Sequence, residues 1–192
     1  MRRIMITLAA VTVGLLTMAA AAQTPPAQKD RAPSGPTISV VTKQREVKPG
    51  ELITLDVLVS NVSNLGSYQV KVQATGGERS GAVLEKLFID TARSDYVFGT
   101  RQVLKAVAAG TGEMGAMLFP GSVNVTRPAY LGTYKFRVSA DAKGSFSFNV
   151  NTAPEFSFLL NSGGIVIPFR PGKGVPVSVA AAAPERIDAK VK

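Results

Sequence analysis

The chain has 192 residues, contains neither cysteine nor histidine, and carries a formal net charge of +9. The absence of both residue types removes the commonest general base, the commonest metal ligand and the thiol nucleophile, which excludes thiolate and serine-triad catalysis. Lysines and arginines are scattered rather than interleaved with aromatic residues, so the charge favours acidic partners, such as anionic envelope surfaces or acidic polysaccharide, and predicts no nucleic-acid groove. We therefore predict a non-enzymatic protein without a cofactor.

Residues 1–22 have the three-part layout of a secretory signal peptide. Two arginines precede an uncharged apolar run over residues 4–18, and four alanines follow it. The apolar run is too short to span a bilayer comfortably, since a membrane helix needs about 20 such residues. We expect cleavage after Ala22, no membrane span in the remaining chain, and a secreted or periplasmic protein.

Two segments of low hydrophobicity flank the predicted domain. Residues 23–36 (QTPPAQKDRAPSGP) are rich in proline and small polar residues, which predicts an extended tether. Residues 180–192 contain a proline and little to bury, which predicts a disordered tail. One domain, residues 37–179, lies between them, and without disulfides its hydrophobic core alone must hold it together.

Within the predicted domain, hydrophobicity alternates with a period of two, the pattern of a sheet that has one face in a core. Four segments show the alternation most clearly: 52–59, 67–74, 133–138 and 145–150. Six shorter or less regular candidates are 38–41, 83–88, 102–108, 116–119, 165–169 and 175–179. Residues 78–95 are the stretch with room for a helical turn.

Turn-forming residues separate these segments. Glycine, proline or asparagine supplies the turn chemistry at 48–51, 64–66, 141–144 and 161–164. The connections are mostly short, so neighbouring strands are expected to pair antiparallel, and roughly eight to ten strands exceed what one flat sheet tolerates. The sequence therefore predicts an all-β fold, a two-sheet antiparallel β-sandwich of about nine strands.

The acidic residues form no recognisable catalytic or metal-binding group. Glu51, Asp56 and Glu155 fall at turns or on outward strand positions, where a solvated surface charge is the simplest explanation. Asp90 and Asp95 share a predicted loop, but calcium needs several closely spaced oxygen ligands and the spacing of these two is nonspecific. No catalytic or metal site is predicted.

The aromatic residues divide into two groups. Tyr68 and Tyr134 fall on the inward register of their strands, which predicts core packing. Tyr96, Phe98 and Tyr130 lie in less regular stretches, where exposed rings would provide a surface on which sugar rings stack. These last three residues are the candidate carbohydrate-binding site.

The order and spacing of several short motifs resemble those of the cohesin family. The motifs are PGE (49–51), VLVSN (57–61), LGSYQVKV (65–72), LGTYKF (131–136) and AKGSFSF (142–148). The resemblance runs from about residue 37 to residue 179, and it implies a sandwich of jelly-roll topology with about nine strands.

The resemblance also implies a role in recognition, because cohesins bind dockerin modules through one sheet face and so assemble extracellular complexes, such as those that degrade polysaccharides. By position, part of that partner-contacting face corresponds to the outward residues of the second clear strand: Ser67, Gln69, Lys71 and Gln73. The leading hypothesis is an exported recognition or scaffold module that binds a dockerin-like or other envelope protein. The alternative is a polysaccharide-binding module that uses Tyr96, Phe98 or Tyr130.

Overall fold

The computed structural model describes residues 35–78 and 81–181. The predicted signal peptide, the predicted tether up to residue 34 and the predicted tail from residue 182 lie outside the described residues. All regular structure within the described residues is β-strand, and the stretch that had room for a helical turn contains the strand Ala82–Phe88. This part of the chain contains no helix of the length and hydropathy needed to cross a membrane.

The described residues form thirteen strands. In chain order they are β1 (Thr37–Val41), β2 (Glu46–Val47), β3 (Leu52–Ser60), β4 (Val62–Glu78), β5 (Ala82–Phe88), β6 (Val103–Ala108), β7 (Glu113–Leu118), β8 (Val123–Val125), β9 (Ala129–Val138), β10 (Lys143–Val150), β11 (Phe158–Asn161), β12 (Arg170–Pro171) and β13 (Val175–Val179). The count exceeds the predicted one because β2, β8, β11 and β12 have four residues or fewer, too few for an alternating pattern to reveal them.

The strands form two sheets that pack as a sandwich, as predicted. The five-stranded sheet has the order β12-β1-β3-β9-β5, and the main path of the eight-stranded sheet is β2-β13-β10-β4-β7-β6, with β8 and β11 also paired to β4. Most pairs are antiparallel, but β1 with β12 and β2 with β13 are parallel. Both sheets are therefore mixed. Each of these two-residue strands lies at the edge of its sheet and is not connected to its partner by a hairpin.

The core lies between the sheets, where alternating residues of the long strands meet. Four alternating residues of β3 are fully buried: Ile53, Leu55, Val57 and Val59. Phe136 of β9 packs against Phe148 of β10 with ring centroids 5.2 Å apart. The predicted inward register of Tyr68 and Tyr134 is confirmed, since their exposed fractions are 2% and 0%. Burial of each large apolar side chain stabilises the fold by about 1.5–3 kcal/mol.

The turn predicted at 64–66 is wrong, because these residues lie inside β4, a strand of 17 residues. Asn61 and Asn64 adopt positive φ angles of 56° and 58°, and the register between β4 and β8 shifts between Val62 and Leu65. Asparagine tolerates this conformation better than most residues. The asparagines bend the chain without separating it from its neighbours, since β8 and β11 still pair with β4 at Leu65.

The segment after β11 also differs from the prediction. The turn at 161–164 is confirmed by a hydrogen bond from Gly164 N–H to the carbonyl of Asn161, at 3.0 Å. The strand predicted at 165–169 is wrong, because Val166 makes only an isolated bridge to Leu160. The neighbouring strands β11 and β12 instead join the chain to the two sheets, one to each.

Candidate functional site

The predicted partner-binding residues lie on the outer face of the eight-stranded sheet. Ser67, Gln69, Lys71 and Gln73 alternate along β4 with buried core residues. β4 is an interior strand, paired with β7 on one side and with β11 and β10 in succession on the other. Ser67 is buried, Gln69 and Lys71 are half-buried, and Gln73 is exposed.

Residues 151–157 cover part of this outer face. β10 and β11 both run antiparallel to β4 and lie in line, so the chain leaves the sheet after β10 and returns to it as β11. Lys71 of β4 lies opposite the gap between the end of β10 and the start of β11. Its carbonyl accepts a hydrogen bond from Asn151 N–H at 2.9 Å, and its N–H donates to Ser157 Oγ at 3.1 Å. Both backbone polar groups of Lys71 therefore keep a hydrogen-bond partner across the interruption.

Two of the predicted residues also hold residues 151–157 through their side chains. Gln69 Nε2 donates to the carbonyl of Glu155 at 3.1 Å. Lys71 Nζ lies 4.0 Å from the centre of the Phe156 ring and 3.8 Å from a carboxylate oxygen of Glu113. Gln69 and Lys71 thus have partners within the chain, and their contact with another protein stays a prediction.

Ser67 is buried by its neighbours. In the register of the sheet it lies between Met117 of β7 and Leu160 of β11, and only 7% of its surface is exposed. Two larger side chains therefore flank a small one and leave little of Ser67 exposed, and its contact with a partner stays a prediction. Among the four predicted residues, Gln73 is the one that is exposed to solvent.

The exposed side chains in the same row of the sheet as Ser67 are apolar. Leu104 of β6 lies directly opposite Met117, and their exposed fractions are 69% and 46%. The next row across the sheet contains Ala106, Gly115, Gln69 and Phe158. We call Leu104, Ala106, Met117, Phe158 and Leu160 the apolar face. Neither of its two rows contains a charged residue.

A shallow groove of about 310 Å³ follows the apolar face, and Lys105 is among the residues that line it. Gly115 lies on its floor, where an added Cβ atom would stand 2.4 Å from the carbonyl oxygen of Tyr68. Phe119, the residue that follows β7, is 78% exposed. Phe119 was not among the predicted site residues, although its spacing of two from Met117 within the predicted strand 116–119 was the available signal.

The predicted carbohydrate-binding residues are not on the surface. Tyr96, Phe98 and Tyr130 have exposed fractions of 3%, 1% and 0%, so the expectation that they form an exposed platform is wrong. Tyr130 N–H donates to the carbonyl of Asp95 at 2.8 Å, which brings this loop against β9. The rings point into the core, where Phe98 stacks on Tyr68 at a centroid distance of 5.9 Å. Burial raises the pKa of Tyr96 and of Tyr130.

Asp95 is engaged by an arginine. Arg93 donates to Asp95 through Nε and Nη2, both at 2.8 Å, and through Nη1 to Asp56 at 2.7 Å. The guanidinium carbon lies 3.9 Å from the centre of the Tyr130 ring. The hydrogen bonds from Arg93 lower the pKa of Asp95. Among residues 35–78 and 81–181, no group of three or more acidic side chains is placed to hold a metal ion.

Comparison with known proteins identifies the class of fold. No family model matches the chain, and no curated protein matches it. Among solved structures, a chain of the CaDoc0917–CaCohA2 complex, in which CaCohA2 comes from Clostridium acetobutylicum, is 15% identical. That alignment covers 76% of this chain and 99% of the other, with a TM-score of 0.51.

Two further solved cohesins are similar. A non-cellulosomal cohesin from the archaeon Archaeoglobus fulgidus is 13% identical over 77% of this chain and 92% of its own, with a TM-score of 0.47. The third cohesin of ScaC from Acetivibrio cellulolyticus, solved with the ScaB dockerin, is 15% identical over 76% and 99%, with a TM-score of 0.49. The chain has a cohesin-like fold, as the motif order predicted.

Proposed function

We propose that this chain is an exported, non-catalytic docking module that binds a partner protein through its apolar face. The cohesin-like fold supports the proposal, because solved cohesins from Acetivibrio cellulolyticus and Clostridium thermocellum are in complex with dockerins. On that analogy, the partner is a dockerin-like protein or another exported envelope protein.

The observation that carries the proposal is the exposure of Leu104 and Met117 directly beside each other in the sheet. Single apolar side chains are common on protein surfaces, whereas contiguous ones mark interaction sites. Phe119 adds an exposed ring to the same strand region. Loss of a central apolar anchor from an interface costs about 2 kcal/mol or more of binding free energy, which corresponds to at least about tenfold in Kd.

The surface of the same sheet beyond the Lys71–Glu113 ion pair has the character of an interface rim. Gln73 lies opposite Asn149, and Thr75 lies opposite Ser147, on the pair formed by β4 and β10. These side chains are polar and uncharged, and protein interfaces commonly combine an apolar centre with a polar, solvent-accessible rim. Among the residues predicted from the resemblance, Gln73 fits this rim.

Export is the second part of the proposal. It is supported by the arginines, apolar run and alanines of residues 1–22, which match a secretory signal peptide. The mature protein, secreted or periplasmic, is expected to begin at Gln23. N-terminal sequencing of the protein recovered from its own cell tests this, and recovery of an intact N-terminus would contradict it.

Site-specific crosslinking tests the docking face. A photo-crosslinking residue placed at position 104 or 117 should capture a defined exported protein, which mass spectrometry identifies. Placed at Val83, which is 64% exposed on the five-stranded sheet, the same residue should not capture it.

The captured protein is then titrated with substituted chains. Leu104→Asp and Met117→Asp should each raise the Kd at least about tenfold, whereas Val83→Asp should leave it unchanged. Equal capture from all three positions, or an unchanged Kd with both aspartate variants, would rule out the apolar face as the docking site.

A further inference from the structure

Two lysines lie directly opposite each other on the outer face of the five-stranded sheet. Lys86 of β5 pairs with Lys135 of β9, and the register of these strands shifts between Leu84 and Lys86. Without that bulge, Glu85 would stand opposite Lys135. The bulge instead allows Leu84 and Leu87 both to pack toward the core. It leaves a like-charge pair, an arrangement that destabilises a sheet.

The acidic groups of this face do not neutralise the two lysines. Glu85 forms an ion pair with Arg137. Asp56 accepts a hydrogen bond from Arg93 at 2.7 Å. Neither lysine of the pair takes part in an ion pair with any carboxylate of the described residues. Their positive charge is therefore available to an anionic ligand from outside the chain.

An aromatic ring lies next to both ammonium groups. The ring centre of Phe88 is 5.5 Å from Lys86 Nζ and 5.9 Å from Lys135 Nζ. The side chain is half-buried, so part of the ring meets solvent. The two Nζ atoms are no farther apart than the sum of these distances, which places two cations and one ring within reach of a short oligosaccharide.

We propose that Lys86, Lys135 and Phe88 bind a carboxylated polysaccharide. Successive carboxylates of one polymer pair with the two ammonium groups, which removes the repulsion between them, and the apolar face of a sugar ring packs against Phe88. A phosphate supplies charge but no ring surface for Phe88. Binding to anionic membranes uses clusters of about 4–8 basic residues, more than this pair provides.

The site is independent of the docking function proposed above, because it belongs to the other sheet of the sandwich. A module with both properties would hold a partner protein on one surface while its opposite surface rests on an acidic polymer. Failure of either property leaves the other intact, since the two sites share no residue.

Affinity electrophoresis of the full chain tests the site. Native gels contain polygalacturonate or the same polymer fully methyl-esterified, which keeps the sugar and removes the charge. Retardation is expected in polygalacturonate alone. The double variant K86Q/K135Q should weaken the apparent affinity about tenfold, in keeping with two exposed ion pairs, and Phe88→Leu should weaken it about threefold.

The matched control is K143Q/K173Q, which removes the same charge at two exposed lysines elsewhere. It should change the affinity less than about twofold. Equal losses in the two double variants would mean that only overall charge matters and would overturn the proposal. The proposal would also be overturned if polygalacturonate did not retard the chain or if the Phe88 variant kept its affinity. Binding to phosphatidylserine vesicles as tight as binding to polygalacturonate would overturn it as well.

Discussion

Tyr68 and Tyr134 tie the two sheets to each other in opposite directions. The hydroxyl of Tyr68 on β4 donates to the carbonyl of Leu131 on β9 at 2.6 Å. The hydroxyl of Tyr134 on β9 donates to the carbonyl of Val70 on β4 at 2.7 Å. Apolar packing is non-directional, so these two buried bonds help to fix how one sheet lies over the other.

Tyr134→Phe and Tyr68→Phe should each lower the free energy of unfolding by about 1–2 kcal/mol, because buried carbonyls lose a donor. Denaturant unfolding measures the change. Tyr96→Phe is the matched control, since the buried hydroxyl of Tyr96 has no hydrogen-bond partner among the described residues. Its removal should leave stability unchanged or raise it. A loss in this control as large as in the other two would contradict the interpretation.

The four tyrosines predict instability at high pH. Burial raises the pKa of Tyr68, Tyr96, Tyr130 and Tyr134 above the ordinary value of 10.0. Above that pH the unfolded chain loses protons that the folded chain retains. The tyrosines therefore leave the free energy of unfolding unchanged below about pH 10. Above that pH the free energy of unfolding falls, by up to about 1.4 kcal/mol per pH unit for each tyrosine.

Tyrosinate absorbance followed with circular dichroism tests this titration. All four hydroxyl groups should ionise together as the chain unfolds. These four are all the tyrosines of the chain. Ionisation of one or more tyrosines near pH 10 with the sheets intact would show that burial does not control their pKa.

Arg93 holds the loop after β5 against the five-stranded sheet, since it bridges Asp56 and Asp95. Arg93→Lys should lower stability by about 1 kcal/mol, because lysine cannot make the forked contact or stack on Tyr130 in the same way. Since Arg93 lowers the pKa of Asp95, this carboxylate stabilises the fold above about pH 4, and the contribution is lost as pH falls.

Carboxylate titration by NMR measures the effect of Arg93. In the Arg93→Lys chain, the pKa of Asp95 should move up toward its ordinary value, and the acid dependence of stability from this group should shrink. An unchanged titration of Asp95 would show that the hydrogen bonds from Arg93 are not its cause.

Gln69 and Lys71 should matter for residues 151–157. Gln69→Ala and Lys71→Met remove a hydrogen bond and a cation–ring contact, worth about 0.5–1.5 kcal/mol each. Hydrogen exchange at residues 151–157 should become several-fold faster. Gln73→Ala is the control, since Gln73 is exposed and makes no such contact. Unchanged exchange in the first two variants would show that other contacts hold the segment.

The sequence allowed the sandwich to be predicted where residues alternate over a long stretch. β3 and β9 show the pattern clearly, because one face of each is in the core and the other is in water. β11 and β12 have four and two residues, and their pairing depends on contacts with β4 and β1 that are distant in the chain. The local sequence pattern does not indicate which distant strand will pair with such a short segment.

The candidate site was predicted only in part, for a similar reason. Alternation placed Gln69 and Lys71 on the outer face of β4, but it did not reveal that residues 151–157 return to cover them. Tyr96 and Phe98 lie in a loop whose course is set by pairing with Tyr130. Exposure of a residue depends on what packs over it, and that information appears only once the chain is folded.

The two uncharged rows of the apolar face have a kinetic consequence. Charged patches can guide two proteins together at about 10⁸–10⁹ M⁻¹ s⁻¹, whereas neutral surfaces associate at about 10⁵–10⁶ M⁻¹ s⁻¹. The two rows themselves therefore supply no charge that guides a partner, and a dependence of the encounter rate on ionic strength must come from the basic residues around them, such as Lys105. Differences in affinity between partners of this surface should then lie mainly in the rate at which the complex dissociates.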